Sequence, residues 1–379
     1  MSLEIEKPAK QLIKPKLKKS IIDCDIHHNV RDIKDIFPYL PKNYREQIEL
    51  WGTQLPDFPF MNGGLRGRMN NSYPPSGGNA GSDLQFMREQ HLDPYNVEYG
   101  ILTGEFPWQY ASQQVDYAAA LCSAYNDWTV EYWLEKDSRL RGSILIPIQD
   151  PNLAVKEIHR LGNHPGMVQV LAYGGARMPY GQRFYHPIYE ACAQYGLPFT
   201  IHVGMEGVGI NSAPTGVGYP SYYIEYRALR PQVYMAHLAS FIFEGVFEFF
   251  PTFKVVLLEA GVFWVPPYLW RLDQDWKGLR HQTPWVKKPP SEYFKSNVYI
   301  GSQPIEETPN IDAFTSMLEW THAKDSLLFC SDYPHWDYDS PLLSFPKLEG
   351  DLWEHIFYEN ARKLYKLPSR SAKQGGVVS

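Results

Sequence analysis

Cysteine is scarce in this 379-residue chain, and its four copies (Cys24, Cys122, Cys192 and Cys330) stand far apart with no paired spacing. That argues against a disulfide framework. Two of them fall inside apolar, strand-like runs, so all four read as reduced core thiols of a cytoplasmic protein. No run approaches the ~20 apolar residues needed to span a bilayer, which leaves no membrane segment to expect. Positive charge is not in excess either. With 36 Lys and Arg against 42 Asp and Glu, the net charge of −6 gives no basis for nucleic-acid binding. The lysine-rich start of the chain is followed by no apolar stretch of signal-peptide length. Residues 1–19 therefore read as a disordered basic arm, or as a clasp over a neighbouring subunit. There is no internal repeat.

What the chain does have is apolar and aromatic material. Hydrophobic residues make up 44% and aromatic ones 15%, enough for one large core with rings left over for long packed loops, oligomer contacts or an apolar pocket. Eight short β-rich runs (20–27, 97–104, 140–147, 167–173, 197–204, 254–261, 297–303 and 326–333) alternate with helix-length segments such as 117–135, 153–162, 186–195 and 354–365. Several runs are continuously apolar, as strands covered on both faces are. Eight β/α units predict an α/β fold, a (β/α)8 TIM barrel over residues 20–367, with a disordered tail at 368–379. A long insertion at about 29–95 follows the first strand, which predicts a lid over the C-terminal face of the barrel. A second, glycine-rich excursion covers 205–223.

Three of the strands deliver imidazole or carboxylate at a C-terminal end. Asp25-Ile-His27 closes the first, His202 the fifth and Asp332 the eighth. Alternation returns residues 25 and 27 to one face of their strand. An acid that follows Leu-Leu-Phe-Cys, as Asp332 nearly does, must be paired, protonated or metal-bound. The barrel brings all these ends to one face, where Asp25, His27, His202 and Asp332 are candidate ligands of one divalent metal. Asp23 shares the alternation of Asp25 but lies deeper, and a buried hydrogen-bonded role is expected for it. His28 points the other way.

The chain resembles the amidohydrolase superfamily, in the amidohydrolase-related branch that includes aminocarboxymuconate semialdehyde decarboxylase. The resemblance rests on Asp25-Ile-His27, on Ile201-His202, on Cys330-Ser-Asp332-Tyr-Pro-His335, and on the block from Phe241 through Glu259-Ala-Gly261 to Arg271-Leu-Asp273. It implies that Asp25, His27, His202 and Asp332 bind the ion and a water, with Asp332 also able to accept the water's proton. Two departures stand out. Asp25 occupies the first-ligand position where relatives commonly carry His or Glu, and oxygen-rich ligands move the preference from zinc toward manganese or iron. Glu259 stands at the end of strand 6, where many relatives have an acid/base histidine. Glu259 is then an acid/base group, a ligand, or a structural partner of Arg271. His237, on an apolar helix, is a core residue or the replacement for that histidine, and with Glu259 it leaves room for a second metal. His335 and Arg271 are candidates for substrate contact, Arg271 otherwise pairing with Asp273.

The reading that follows is a metal-dependent hydrolase acting on a small aromatic or carboxylated molecule. The alternatives are a non-oxidative decarboxylase using the same ligands, a two-metal iron or manganese enzyme that activates oxygen, and an inactive partner subunit. A homodimer or higher oligomer is expected, or pairing with a paralogous subunit.

Overall fold

The computed structural model describes residues 17–53, 67–104 and 114–369. Most of the basic arm (1–16), part of the insertion (54–66), residues 105–113 and the tail from 370 onward lie outside the described residues. Among the described residues, eight parallel strands follow one another in chain order: β1 (Ile21–Ile26), β2 (Val97–Leu102), β3 (Leu140–Leu145), β4 (Met167–Tyr173), β5 (Phe199–His202), β6 (Val255–Leu258), β7 (Val298–Gly301) and β8 (Leu327–Leu328). The seam between β8 and β1 is joined by Cys24 N–H to Phe329 O (2.9 Å), Asp332 N–H to Asp25 O (3.1 Å) and His27 N–H to Tyr333 O (2.7 Å). The result is a nearly closed (β/α)8 barrel, and almost every strand residue is buried, which is why the strands read as unbroken apolar runs.

Helices cover the outside. Val115–Thr129, Pro151–Leu161 and His186–Tyr195 fall where the apolar periodicity puts them, and a longer helix, Tyr223–Phe243, crosses between β5 and β6. Pro151–Leu161 shows the local logic: Asp150 caps it by accepting the N–H groups of Asn152 and Leu153, and proline takes the first turn.

The formal strands stop short of the sequence-based ends. β6 ends at Leu258, because Glu259 (φ +54°) adopts left-handed backbone that the ladder does not continue through; past Leu328 the eighth strand keeps only single links to β1 on either side of Asp332, which is also left-handed (φ +58°). Residues of that kind with a branched or charged side chain cluster where function holds them.

The insertion after β1 is not bare loop. It carries a helical turn at Ile33–Tyr39, a helix at Lys42–Trp51 and a helical stretch from Leu84 that tightens into a π turn at Arg88–Leu92. Residues near 67–69 run beside the loop after β8, through Trp336 N–H to Gly67 O (3.1 Å) and Met69 N–H to Pro334 O (3.0 Å). No helix among the described residues is long and apolar enough to cross a membrane. All four cysteines are buried and unbridged.

Candidate metal centre

Asp25, His27, His202 and Asp332 come together at the C-terminal end of the barrel, fully buried, with one ligand atom from each within 4.8 Å of the others. His27 Nε2 lies 3.3 Å from Asp25 Oδ1 and 3.0 Å from Asp332 Oδ1, and His202 Nε2 lies 3.3 Å from Asp25 Oδ2. The rest of each side chain is committed elsewhere. His27 Nδ1 meets the Gly104 carbonyl at 2.9 Å and His202 Nδ1 the Val203 carbonyl at 2.8 Å. Only an N–H can bond a carbonyl, so both rings carry hydrogen on Nδ1 and turn Nε2 inward, as metal-binding imidazoles do. Thr103 Oγ1 donates to Asp25 Oδ1 at 2.6 Å. Asp25 Oδ2, His202 Nε2 and Asp332 Oδ2 are buried and make no well-aligned hydrogen bond among the described residues. Orphaned polar atoms in a dry site are costly unless something charged meets them. Two carboxylates and two imidazoles with these free atoms fit one divalent ion.

The ion-free charge state follows. Burial would lower the His202 pKa, but Asp25 first, then Glu259 and Asp332, outweigh it and push it up to about 9. At neutral pH the imidazole then holds a proton that an incoming ion must displace. Metal binding is expected to release a proton, with affinity rising about tenfold per pH unit from 7 until it levels off near 9. The sign for stability is opposite. A histidine raised in the folded state contributes fully below its ordinary value and loses that contribution as pH climbs through about 9, so the ion-free protein should melt lower across this window. Calorimetric manganese titrations at several pH values check this, and an affinity flat from pH 7 to 9 would contradict it.

Around the cluster sit residues of two kinds. Glu259 reaches to 3.4 Å from His202 Nε2 with one oxygen, and its other oxygen is held by Arg230 Nη1. Its partner is thus Arg230, on the Tyr223–Phe243 helix, and not Arg271. Arg271 instead projects from the outside of the helix at Val265–Leu279, two-thirds exposed, 4.0 Å from Asp275. Asp273 does not pair with Arg271; it binds the N–H and hydroxyl of Ser291. The suggested substrate contact at Arg271 therefore lies away from the centre. His335 is drawn in: its Nδ1 bonds Asp332 Oδ1, and its ring meets that of His27 edge-on at 4.3 Å. Burial would raise the Asp332 pKa, but His335 and His27 hold it well below the usual carboxylate range.

His237 is not brought to the cluster. Its Nδ1 accepts the Tyr180 N–H at 3.1 Å, its Nε2 donates to Gly174 O at 2.9 Å, and its ring stacks on Tyr180. Burial pushes its pKa down to about 4, which leaves a neutral ring with both nitrogens spent on backbone. A second acidic group, Glu259, Asp332 and Asp337, also converges. Glu259 and Asp337 are each already neutralised by an arginine, Arg230 and Arg227 respectively, so this second position is far less in need of a cation than the first.

Sequence reading missed the arginines. Arg68 comes from the insertion, in a bridge opposite His335. Burial lowers its pKa, against the upward pull of Asp332, Tyr73, Glu259 and Tyr223. Arg227 and Arg230 line, with Glu259, Gly261 and Glu306, a cavity of about 220 Å³ beside the centre. Nothing in their local sequence marks them, apart from charge on an otherwise apolar helix.

Comparison with known proteins agrees with this geometry. The family model described as Amidohydrolase matches residues 22–367. The gamma-resorcylate decarboxylase of Polaromonas sp. (strain JS666 / ATCC BAA-500) is 26% identical over 309 residues, 75% of this chain and 88% of that protein. The gamma-resorcylate decarboxylase of Rhizobium radiobacter is 24% identical over 310 residues, 76% of this chain and 89% of that protein. In solved structures, a 2,6-dihydroxybenzoate decarboxylase complexed with 2,6-dihydroxybenzoate superposes with a TM-score of 0.65 at 19% identity, covering 92% of this chain and 100% of that one. A 5-carboxyvanillate decarboxylase from Novosphingobium aromaticivorans DSM 12444 with bound manganese gives 0.67 at 19%, covering 93% and 100%. With a barrel of eight parallel strands, a buried Asp/His cluster at its C-terminal end and a family match over nearly its whole length, the chain belongs to the amidohydrolase family.

Proposed function

We propose that this chain is a metal-dependent, non-oxidative decarboxylase of small aromatic carboxylic acids, the alternative that the relatives favour over hydrolysis. The observation that carries the reading is the charge arrangement around the centre. Asp25, Asp332 and Glu259 supply the negative charge, while Arg230 and Arg68 face it from the helix and from the insertion. With a divalent ion added, the balance turns positive, and an anionic substrate is drawn in. Its carboxylate and a neighbouring hydroxyl suit an ion on one side and a guanidinium on the other.

A bound divalent ion supplies Lewis acidity at a substrate oxygen. The chain supplies the rest. Asp25, His27 and His202 fix the position of the reacting end through partners that hold each ring and carboxylate. Replacing a carboxylate on an aromatic carbon requires a proton at that carbon; the C–C bond then breaks, its electron pair returns to the ring and CO2 leaves. Asp332 and His335, bonded to one another, are the groups available beside the centre to hold and pass that proton. Deep burial of the cluster keeps competing water out.

The test is incubation of the manganese-loaded protein with 2,6-dihydroxybenzoate and with 5-carboxyvanillate. Expected are CO2 and the ring-protonated phenol in equal amounts, with one deuterium on the ring in D2O and no change when oxygen is removed. Turnover that stops without oxygen would move the assignment to oxygen chemistry. Ester or amide cleavage with no CO2 from either acid would restore the hydrolase reading.

A further inference from the structure

Strict alternation along β1 would stack Asp23 beneath Asp25, but the ladder to β2 shifts register between Asp23 and Ile26. The shift removes the Asp25 N–H from regular pairing, and the Asp23 carboxylate takes it up: Asp23 Oδ1 accepts from Asp25 N at 3.2 Å. The same oxygen accepts from Ser331 N, across the β1–β8 seam, at 3.0 Å. One buried oxygen thus ties together the backbone at one candidate ligand, Asp25, and the backbone next to another, Asp332. The other oxygen, Asp23 Oδ2, meets His91 Nε2 at 2.7 Å, with both side chains entirely buried.

His91 belongs to the π turn Arg88–Leu92 of the insertion, and such turns re-aim a side chain that a regular helix would point elsewhere. Its ring stacks on Tyr333 at 4.8 Å, and the Tyr333 hydroxyl bonds the neighbouring Gln90 at 2.8 Å. Its Nδ1 lies 3.3 Å from the Tyr338 hydroxyl. The insertion therefore grips the segment that follows Asp332, and reaches the preceding Ser331 through Asp23 and a 3.5 Å approach of His91 Nε2 to its hydroxyl, around a left-handed backbone that needs such support.

We propose that Asp23 and His91 are positioning residues that set the spacing between Asp25 and Asp332 and thereby the affinity and symmetry of the metal centre. This rests on the metal-centre reading but not on the reaction assigned to it. Neither residue belongs to the candidate ligand cluster. They act through hydrogen bonds to ligand backbone, so the expected loss is that of a supporting partner, about 10–100-fold in metal affinity.

The experiment is manganese titration without substrate, with the electron paramagnetic resonance spectrum of the loaded protein and its melting temperature recorded for each variant. His91→Phe keeps the ring stacking but loses the donor. It is expected to weaken manganese binding by about 10–100-fold and to change the spectrum. Asp23→Asn, which keeps size and fold but weakens the shared acceptor, should move in the same direction and decides the matter if His91→Phe does not fold. His91→Gln returns an amide donor near the Nε2 position and should recover most of the affinity. Gln169→Leu removes a buried hydrogen-bonded side chain elsewhere in the barrel; it should lower the melting temperature without altering manganese affinity. Wild-type affinity in both His91→Phe and Asp23→Asn would overturn the proposal, as would an equal loss in Gln169→Leu. If the unaltered protein takes up no manganese, the metal-centre reading itself falls and the positioning role with it.

Discussion

Asp332→Asn should purify with less than a tenth of the metal of the unaltered protein and lose activity by roughly a thousandfold or more, the scale of about 4 kcal/mol of lost transition-state stabilisation. The reason is that every part of this side chain is committed. Asp332 is entirely buried, one oxygen serves His27 at 3.0 Å and His335, and the other makes no hydrogen bond among the described residues and is left for the ion. An amide of the same shape can still bond one imidazole. It carries no charge for the ion, however, and presents an NH2 group to one side of a site built for acceptors. The fold should survive, because asparagine keeps the shape of the side chain in a barrel held by eight paired strands, although the favourable pairing of the carboxylate with His27 and His335 is lost. Elemental analysis of protein purified without added metal, with circular dichroism as the fold control, is the measurement. An Asn variant that retains one ion per chain would sink the ligand assignment.

Breaking the pair between Arg230 and Glu259 should cost the most stability. Arg230→Met leaves the Glu259 carboxylate buried, on left-handed backbone, beside the carboxylates of Asp332 and Asp337, with His202 at 3.4 Å and the pull of Arg68 left to offset its charge. Removing one partner of a buried ion pair costs about 3–5 kcal/mol, chiefly because the other charge is stranded. The guanidinium also lies over the Tyr226 ring at 5.2 Å, and methionine keeps much of that apolar contact. The double variant Arg230→Met/Glu259→Gln should therefore regain most of the lost stability, since no charge is left unpaired. Denaturant unfolding of both single variants and the double closes the cycle. Losses that simply add would mean the two side chains are not coupled, and Glu259 would have to be read as belonging to the metal centre instead.

How far the chain can be read without its structure differs from residue to residue. Residues 25, 27, 202 and 332 were legible because a strand is a local object: an apolar run that ends in Asp or His announces both the strand and the end at which the side chain emerges. Parallel strands in chain order then bring those ends to one face whatever the detail of the loops. The four helical segments at 117–135, 153–162, 186–195 and 354–365 were legible for the same reason, through their period. Glu259 was flagged as unusual by its position, but its partner was not. Arg271, 12 residues away in sequence, and Arg230, 29 residues away, are equally basic, and only the way the Tyr223–Phe243 helix lies over β6 chooses between them.

The amino-acid sequence by itself thus determined the barrel, the family and the set of candidate ligand side chains that the barrel brings together, because each is written in periodicity, strand ends and short motifs that act over a few residues. Tertiary structure alone decided that His237 is spent on the backbone of Tyr180 and Gly174, that His91 is the partner of the buried Asp23, and that arginines from a helix and from the insertion surround the centre. Those outcomes depend on a register shift of the β1–β2 ladder, a π turn and the rotation of one helix. Each is set by packing between segments tens to hundreds of residues apart, where local propensity has no say.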